Sequence, residues 1–216
     1  MADDDVQQAI DAIRAGKPVL LPTDGVYGLC ASAYREAPTL RLYELKGRES
    51  AQPSALLASS VDMLLECVPE LRGRAGVIAR ALLPGQYTLV FANPACRYRW
   101  LTGTRSDTIG VRVAELPTPA QQVLDAVGAV VATSANDPGG ATPASLEEVP
   151  ERIRAGVAAA LEAGCLSGTP STVIDFTGPE PMVLREGAGS VDEALALAAQ
   201  SASSSSRVQS RPSSSQ

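Results

Sequence analysis

Apolar residues recur at helical spacing at Val6, Ile10 and Ile13 and stop at Gly16, which predicts a helix over residues 6–15. Pro18–Leu21 then reads as a short apolar strand, broken by the turn Pro22-Thr23-Asp24-Gly25. Residues 37–46 predict a helix ending at Lys46-Gly47, Ser54–Ala58 a strand, and Leu71–Leu82 a helix stopped by Pro84-Gly85. Tyr87–Ala92 and Thr108–Val113, rich in β-branched and aromatic residues, predict strands. Pro119–Val127 predicts a helix, Ala129–Ala132 a buried strand, and residues 133–143 a loop. Residues 157–163 fit a helix by their alanines or a short strand by their position between loops. Val173–Phe176 and Pro181–Leu184 predict two late strands around the turn Thr177-Gly178-Pro179, and residues 191–199 a final amphipathic helix. Helices alternating with strands argue for an α/β domain with some antiparallel pairing. From about Ser201 the chain is mostly serine with Arg207, Arg211 and Pro212. Such a segment buries too little apolar surface to offset its ordering entropy, so a disordered tail is predicted over 199–216 and one domain over 5–198.

A chain of 216 residues with 45% hydrophobic content suits one globular domain that needs no staples. No apolar run reaches the roughly 18 residues of a membrane helix. The acidic start, Met1–Asp5, lacks the basic and apolar regions of a secretory signal. These features predict a cytoplasmic protein without membrane association. The four cysteines, Cys30, Cys67, Cys96 and Cys165, are widely spaced and histidine is absent, so neither a zinc site nor a histidine-dependent triad can be built. No protein metal site is expected. The net charge of −6 argues against wholesale coating of nucleic acid but permits a local basic cleft, and Lys46, Arg48, Arg105, Arg112 and Arg185 all lie beside loop or strand signals.

Four polar, turn-rich segments follow or interrupt the apolar strands: Pro22–Leu29; Lys46–Arg48 with Gln52-Pro53; Thr133–Thr142; and Ser171–Asp175 with Leu184–Gly187. Each has an ordinary explanation taken singly. Lys46 and Arg48 complement a helix C-terminus, Asn136 and Gly139 suit a turn, and Asp24 and Asp175 suit turn or edge positions. Together they fit an anion site better. Lysine supplies a point charge, arginine a planar fork for phosphate or carboxylate, and Ser, Thr and Asn in a Gly-rich loop add neutral donors. Walker A and G-x-G-x-x-G motifs are both missing. The residues alone therefore imply an α/β protein with an anion-binding cleft that suits a nucleotide.

The same segments, in the same order, resemble the YrdC-like family of L-threonylcarbamoyladenylate synthases. The resemblance rests on Pro22–Leu29, Lys46/Arg48, Ser134/Asn136, Ser171–Asp175 and Arg185, with Leu83–Val90 and Thr108–Val113 in support. It implies a single domain of the short form, with a twisted mixed parallel/antiparallel sheet, flanking helices and a basic concave cleft. It also implies a nucleotidyltransferase that joins L-threonine, bicarbonate or CO2 and ATP into threonylcarbamoyl-AMP and pyrophosphate. That product serves tRNA modification through a downstream threonylcarbamoyl transferase complex, and Mg2+ accompanies ATP. By motif position, Lys46 and Arg48 are the catalytic candidates. Lys46, Arg48, Gln52, Thr108, Ser134, Asn136, Thr142 and Arg185 fall to ATP, and Gly25, Arg112, Ala132 and Ser171 to threonine.

Two departures stand out. Gly25 replaces the threonine usual in the family, and Leu57 replaces a histidine found in many relatives. The alternatives are carbamoyl-adenylate chemistry with another acceptor, as in a related domain of hydrogenase maturation proteins, or a non-catalytic double-stranded RNA-binding module. An acidic chain with 4% aromatic residues offers little for base stacking and leaves room only for weak RNA binding.

Overall fold

The computed structural model describes residues 2–49 and 51–208. In chain order the elements are α1 (Ala2–Arg14), β1 (Val19–Pro22), β2 (Tyr27–Ser32), α2 (Glu36–Lys46), β3 (Ala55–Ala58), α3 (Val61–Cys67), α4 (Arg74–Leu82) and β4 (Tyr87–Ala92). They continue with β5 (Thr108–Arg112), α5 (Thr118–Val127), β6 (Ala129–Ser134), α6 (Glu151–Gly156), β7 (Ala159–Ala160), β8 (Thr172–Asp175), β9 (Met182–Arg185) and α7 (Val191–Val208). The strands form a nine-stranded mixed sheet in the order β7-β1-β2-β6-β3-β5-β4-β8-β9. The pairs β1/β7, β3/β5 and β4/β8 are parallel and the others antiparallel.

Side chains alternate between the two faces of a strand, so each strand feeds two separate cores. On one face Leu29, Leu56, Leu89, Phe91, Val111 and Ile174 pack against α2, α3, α4 and α7. On the other, Leu21, Cys30, Leu57 and Val130 pack against Val6, Ile10 and Ile13 of α1 and Val123 and Leu124 of α5. Helices α1 and α5 cover only part of that second face. The rest, over β5, β4 and β8, is left open, and this opening is where the candidate site lies.

The predicted elements recur with shifted ends, and the structure adds β2, α3 and α6. Strand β2 was hidden because Tyr27-Gly28-Leu29-Cys30-Ala31-Ser32 carries a glycine and small residues beside a turn. Pairing on both sides, with β1 and β6, buries all six positions. Helices α3 and α6 are too short for a periodic signal. α3 is set by its N-cap, where Ser60 Oγ accepts the Met63 N–H at 3.1 Å. Residues 157–163 resolve as the strand alternative, with β7 at Ala159–Ala160. Helix α7 continues to Val208 rather than ending at 199, propagated from an alanine-rich segment that contains neither glycine nor proline. The predicted tail is therefore helical as far as 208, and residues 209–216 of it lie outside the described residues. No helix among the described residues is long and apolar enough to cross a membrane.

Candidate active site

A cavity of about 530 Å3 opens over the uncovered part of the sheet. Its floor follows from strand alternation. Ile109 and Val111 of β5 turn into the helix-covered core, while Thr108, Gly110 and Arg112 turn into the cavity. Thr88 and Val90 of β4, and Val173 and Asp175 of β8, do the same. Ala132 of β6, Ala55 of β3 and Gly110 of β5 are direct cross-strand partners, and their small size makes the floor hollow.

At one end of this floor sits a cluster of donors. Helix α2 ends at Lys46 because Gly47 adopts the left-handed conformation (φ 64°), which reverses the chain and brings Arg48 back beside Lys46. Arg152 donates to the Leu45 and Lys46 carbonyls and satisfies the helix end. Lys46 Nζ donates to Asn136 Oδ1 at 3.2 Å, to Thr133 Oγ1 at 3.3 Å and to the Ser134 carbonyl. Arg48 Nη1 donates to Thr133 Oγ1 at 2.8 Å, and its Nη2 to the Pro53 carbonyl. Ser134 Oγ donates to Asn136 Oδ1 at 2.5 Å, and Asn136 Nδ2 donates to the Gly140 carbonyl at 2.7 Å, closing the loop.

Among the described residues neither Lys46 nor Arg48 has an ion-pair partner, and Arg48 Nε is buried without a hydrogen bond. Lys46 is only 4% exposed. Burial first, and the adjacent Arg48 second, push its ammonium down to about 8. Burial likewise lowers Arg48. Asp137 acts on Lys46 only from beyond ion-pair distance and offsets the shift in part. Two desolvated cations side by side, with no ion-paired carboxylate among the described residues, are a place prepared for a multiply charged anion.

At the other end Arg112 Nη2 donates to Asp24 Oδ1 at 2.6 Å, with side-chain exposures of 11% and 8%. Asp24 Oδ2 and Arg112 Nε are buried and unpartnered. Arg112 lines the cavity, with Asp24 behind it. Nearby, Arg185 Nη2 donates to the Ser171 carbonyl at 2.7 Å and to Ser171 Oγ at 3.3 Å. Ser171 Oγ and Thr88 Oγ1 share a 2.9 Å hydrogen bond. Burial and the proximity of Arg112 lower Arg185.

Ten of the residues singled out from the sequence line this one cavity: Lys46, Arg48, Gln52, Thr108, Arg112, Ala132, Ser134, Asn136, Ser171 and Arg185. Gly25 and Thr142 stand outside its wall. Both instead hold the irregular segment that precedes β8. The Gly25 carbonyl accepts the Gly168 N–H at 2.8 Å, and Thr142 Oγ1 donates to the Gly168 carbonyl at 2.8 Å. A Cβ on Gly25 would lie 2.3 Å from the Thr169 carbonyl oxygen, so that backbone occupies the space a side chain at 25 would need. Leu57 is fully buried between α1, α5 and the sheet, away from the cavity.

The structure adds Thr88, Thr102 and Thr104 to the wall, beside Arg105 and Thr133, which belong to the basic residues and the Thr133–Thr142 segment singled out from the sequence. Thr88 had a visible signal, being a polar residue at an alternate position in an otherwise apolar strand. Thr133 abuts Ser134 in the sequence, but its bridging of Lys46 and Arg48 is a tertiary fact. Among the described residues no cluster of three or more His, Cys, Asp or Glu side chains could hold a metal ion.

The Sua5/YciO/YrdC family profile, described as "Telomere recombination", matches residues 11–187. A Mycobacterium tuberculosis protein named "Putative threonylcarbamoyl-AMP synthase" is 33% identical over 183 residues, covering 84% of this chain and 83% of that protein. Pyrococcus abyssi Sua5 complexed with L-threonine superposes with a TM-score of 0.79 at 32% identity, covering 89% of this chain. The alignment spans 56% of that longer protein. Escherichia coli YciO superposes with a TM-score of 0.78 at 28% identity, covering 88% of this chain and 92% of YciO.

Proposed function

This chain belongs to the Sua5/YciO/YrdC family, and we propose that it is an L-threonylcarbamoyladenylate synthase, a transferase that condenses L-threonine, bicarbonate or CO2 and ATP for tRNA modification. The observation that supports the reading is one cavity with cationic side chains at two separate ends. Lys46 and Arg48 lie at one and Arg112 at the other. A nucleotide triphosphate suits the first and an amino-acid carboxylate the second.

In this reaction the amine of threonine captures CO2 as a carbamate. The carbamate oxygen attacks the α-phosphorus of ATP, and the bond to the β-phosphate breaks with its electron pair leaving on pyrophosphate. The protein's work is to position the reactants and offset charge, which needs no histidine and no covalent intermediate. Lys46 and Arg48 take the triphosphate with Ser134 and Asn136, supported by Gln52 and Thr108, and Arg185, beside Ser171 and Arg112, reaches ATP from the other end of the cavity. Arg112 and Ser171 take threonine, with Ala132 at its backbone. Gly25 and Thr142 act indirectly, by fixing the segment that leads into Ser171.

Mg2+ arrives with ATP. Asp175 is the single carboxylate among the described lining residues, and its Oδ1 already accepts the Thr177 N–H at 2.8 Å. The metal's ligands are therefore mainly phosphate oxygens and water. The labile product passes to a separate threonylcarbamoyl transferase complex.

The test is pyrophosphate release by the purified protein with ATP, Mg2+, bicarbonate and threonine, with the adenylate identified by mass. Release must stop when threonine is omitted. Release that ignores threonine, or follows a different acceptor in an amino-acid screen, overturns the reading.

A further inference from the structure

We infer that Gly110 marks the point in the cavity where the two substrates meet, and that its missing side chain is the space in which the carbamate–phosphorus bond forms. This rests on the synthase reading above and adds the location of the reacting atoms.

Five cavity-lining residues stand in one lateral row across the sheet. Ala132 pairs with Ala55, Ala55 with Gly110, Gly110 with Val90, and Val90 with Asp175. Three consecutive members, Ala132, Ala55 and Gly110, carry at most a methyl group. Two residues away along β5 on one side is Thr108, and two residues away along β6 on that same side is Ser134, a member of the Lys46 cluster. These fall on one side because β3 runs parallel to β5 and antiparallel to β6. Two residues away along β5 on the other side is Arg112.

Same-face neighbours on a strand are roughly 6.7 Å apart, so the phosphate end and the carboxylate end each lie one such step from the bare row. A threonine held by its carboxylate at Arg112 points its amine back over Gly110, and a triphosphate held at Lys46 and Arg48 brings its α-phosphorus to the same place. The new bond joins the carbamate oxygen to that phosphorus as pyrophosphate departs towards the cationic cluster.

The space above Gly110 is not needed for folding. A Cβ there would meet only Thr88 Cγ2 at 3.6 Å and the Ser54 carbonyl oxygen at 3.8 Å, both ordinary contacts. Valine also suits a strand. A Cβ at 110 therefore enters the junction without displacing either core, and Gly110→Val carries the side chain further into the cavity.

The experiment compares wild type with Gly110→Val, and with Ala55→Val as a second probe from the same row. Calorimetry measures ATP binding alone and threonine binding alone, rapid quench measures a single turnover, and thermal melting checks the fold. The expected result is that both separate affinities stay within about threefold of wild type while the single-turnover rate falls at least about a hundredfold. Turnover near the wild-type rate in both variants overturns the junction. So does a loss of affinity for one substrate that accounts for the whole loss of rate, which would place the row in that substrate's own pocket. A wild-type protein that releases no pyrophosphate in response to threonine sinks the synthase reading instead, and this inference with it.

Discussion

Replacing Asp24 by alanine leaves the Arg112 guanidinium in the cavity wall without its counter-charge. The pair is short, 2.6 Å, and the two side chains are 11% and 8% exposed. Breaking a buried pair from one side costs about 3–5 kcal/mol, because the remaining charge stays desolvated. The low end applies, since Arg112 faces the cavity and water can reach it there. A loss of about 3 kcal/mol in a domain of this size lowers the melting temperature by about 6–12 °C. Adding Arg112→Met to Asp24→Ala removes the stranded charge and should recover most of that loss. Urea and thermal denaturation of wild type, the single variant and the double variant measure both effects. A single variant within about 2 °C of wild type refutes the reasoning. So does a double variant no more stable than the single, because the cost would then lie in lost packing at position 24 and not in charge.

Lys46→Ala and Arg48→Ala should each cut pyrophosphate release by at least about a hundredfold while leaving the circular dichroism spectrum unchanged, since each removes a charge facing the phosphates. With Lys46 held down to about 8 by burial and by Arg48, ATP affinity should weaken as pH rises through about 8, measured by calorimetry across pH 6.5–9.5 (about three units). The sign for stability is opposite. Between about 8 and the ordinary 10.5 the unfolded chain binds the extra proton, so this group makes the apo protein more stable with rising pH, and Lys46→Met should remove that rise. Gly25→Thr, which restores the residue usual in the family, should displace residues 167–169, because its Cβ starts 2.3 Å from the Thr169 carbonyl oxygen. The expected cost is about 1–3 kcal/mol, with faster proteolysis between 163 and 170 as the direct readout.

Strand alternation was legible at Tyr87–Ala92 and Thr108–Arg112 because one side of each strand needs apolar contacts whatever its neighbours are. The Lys46–Arg48 turn was legible for a similar reason: a glycine after a helix with two flanking cations is a local signal. Strand β2 was not legible. Its six residues are a strand because β1 and β6 supply partners on both edges, and β6 lies about a hundred residues further along the chain. Gly25 read as a departure from the family at a threonine-binding position. In the folded chain it is the condition for the 167–169 backbone to pack there.

The sequence by itself thus determined the α/β class, most of the elements and ten of the residues that line the cavity, since these depend on local periodicity, turn chemistry and motif order. Only the tertiary structure decided which of those residues face one another. The bare row Ala132–Ala55–Gly110 is set by strand register, while the pairing of Asp24 with Arg112 and the bridging of Lys46 and Arg48 by Thr133 come from packing a turn and a helix end against the sheet. Register is fixed when the apolar pattern of one strand is buried against that of another far away in the chain, so neither strand's pattern reveals its partner by itself.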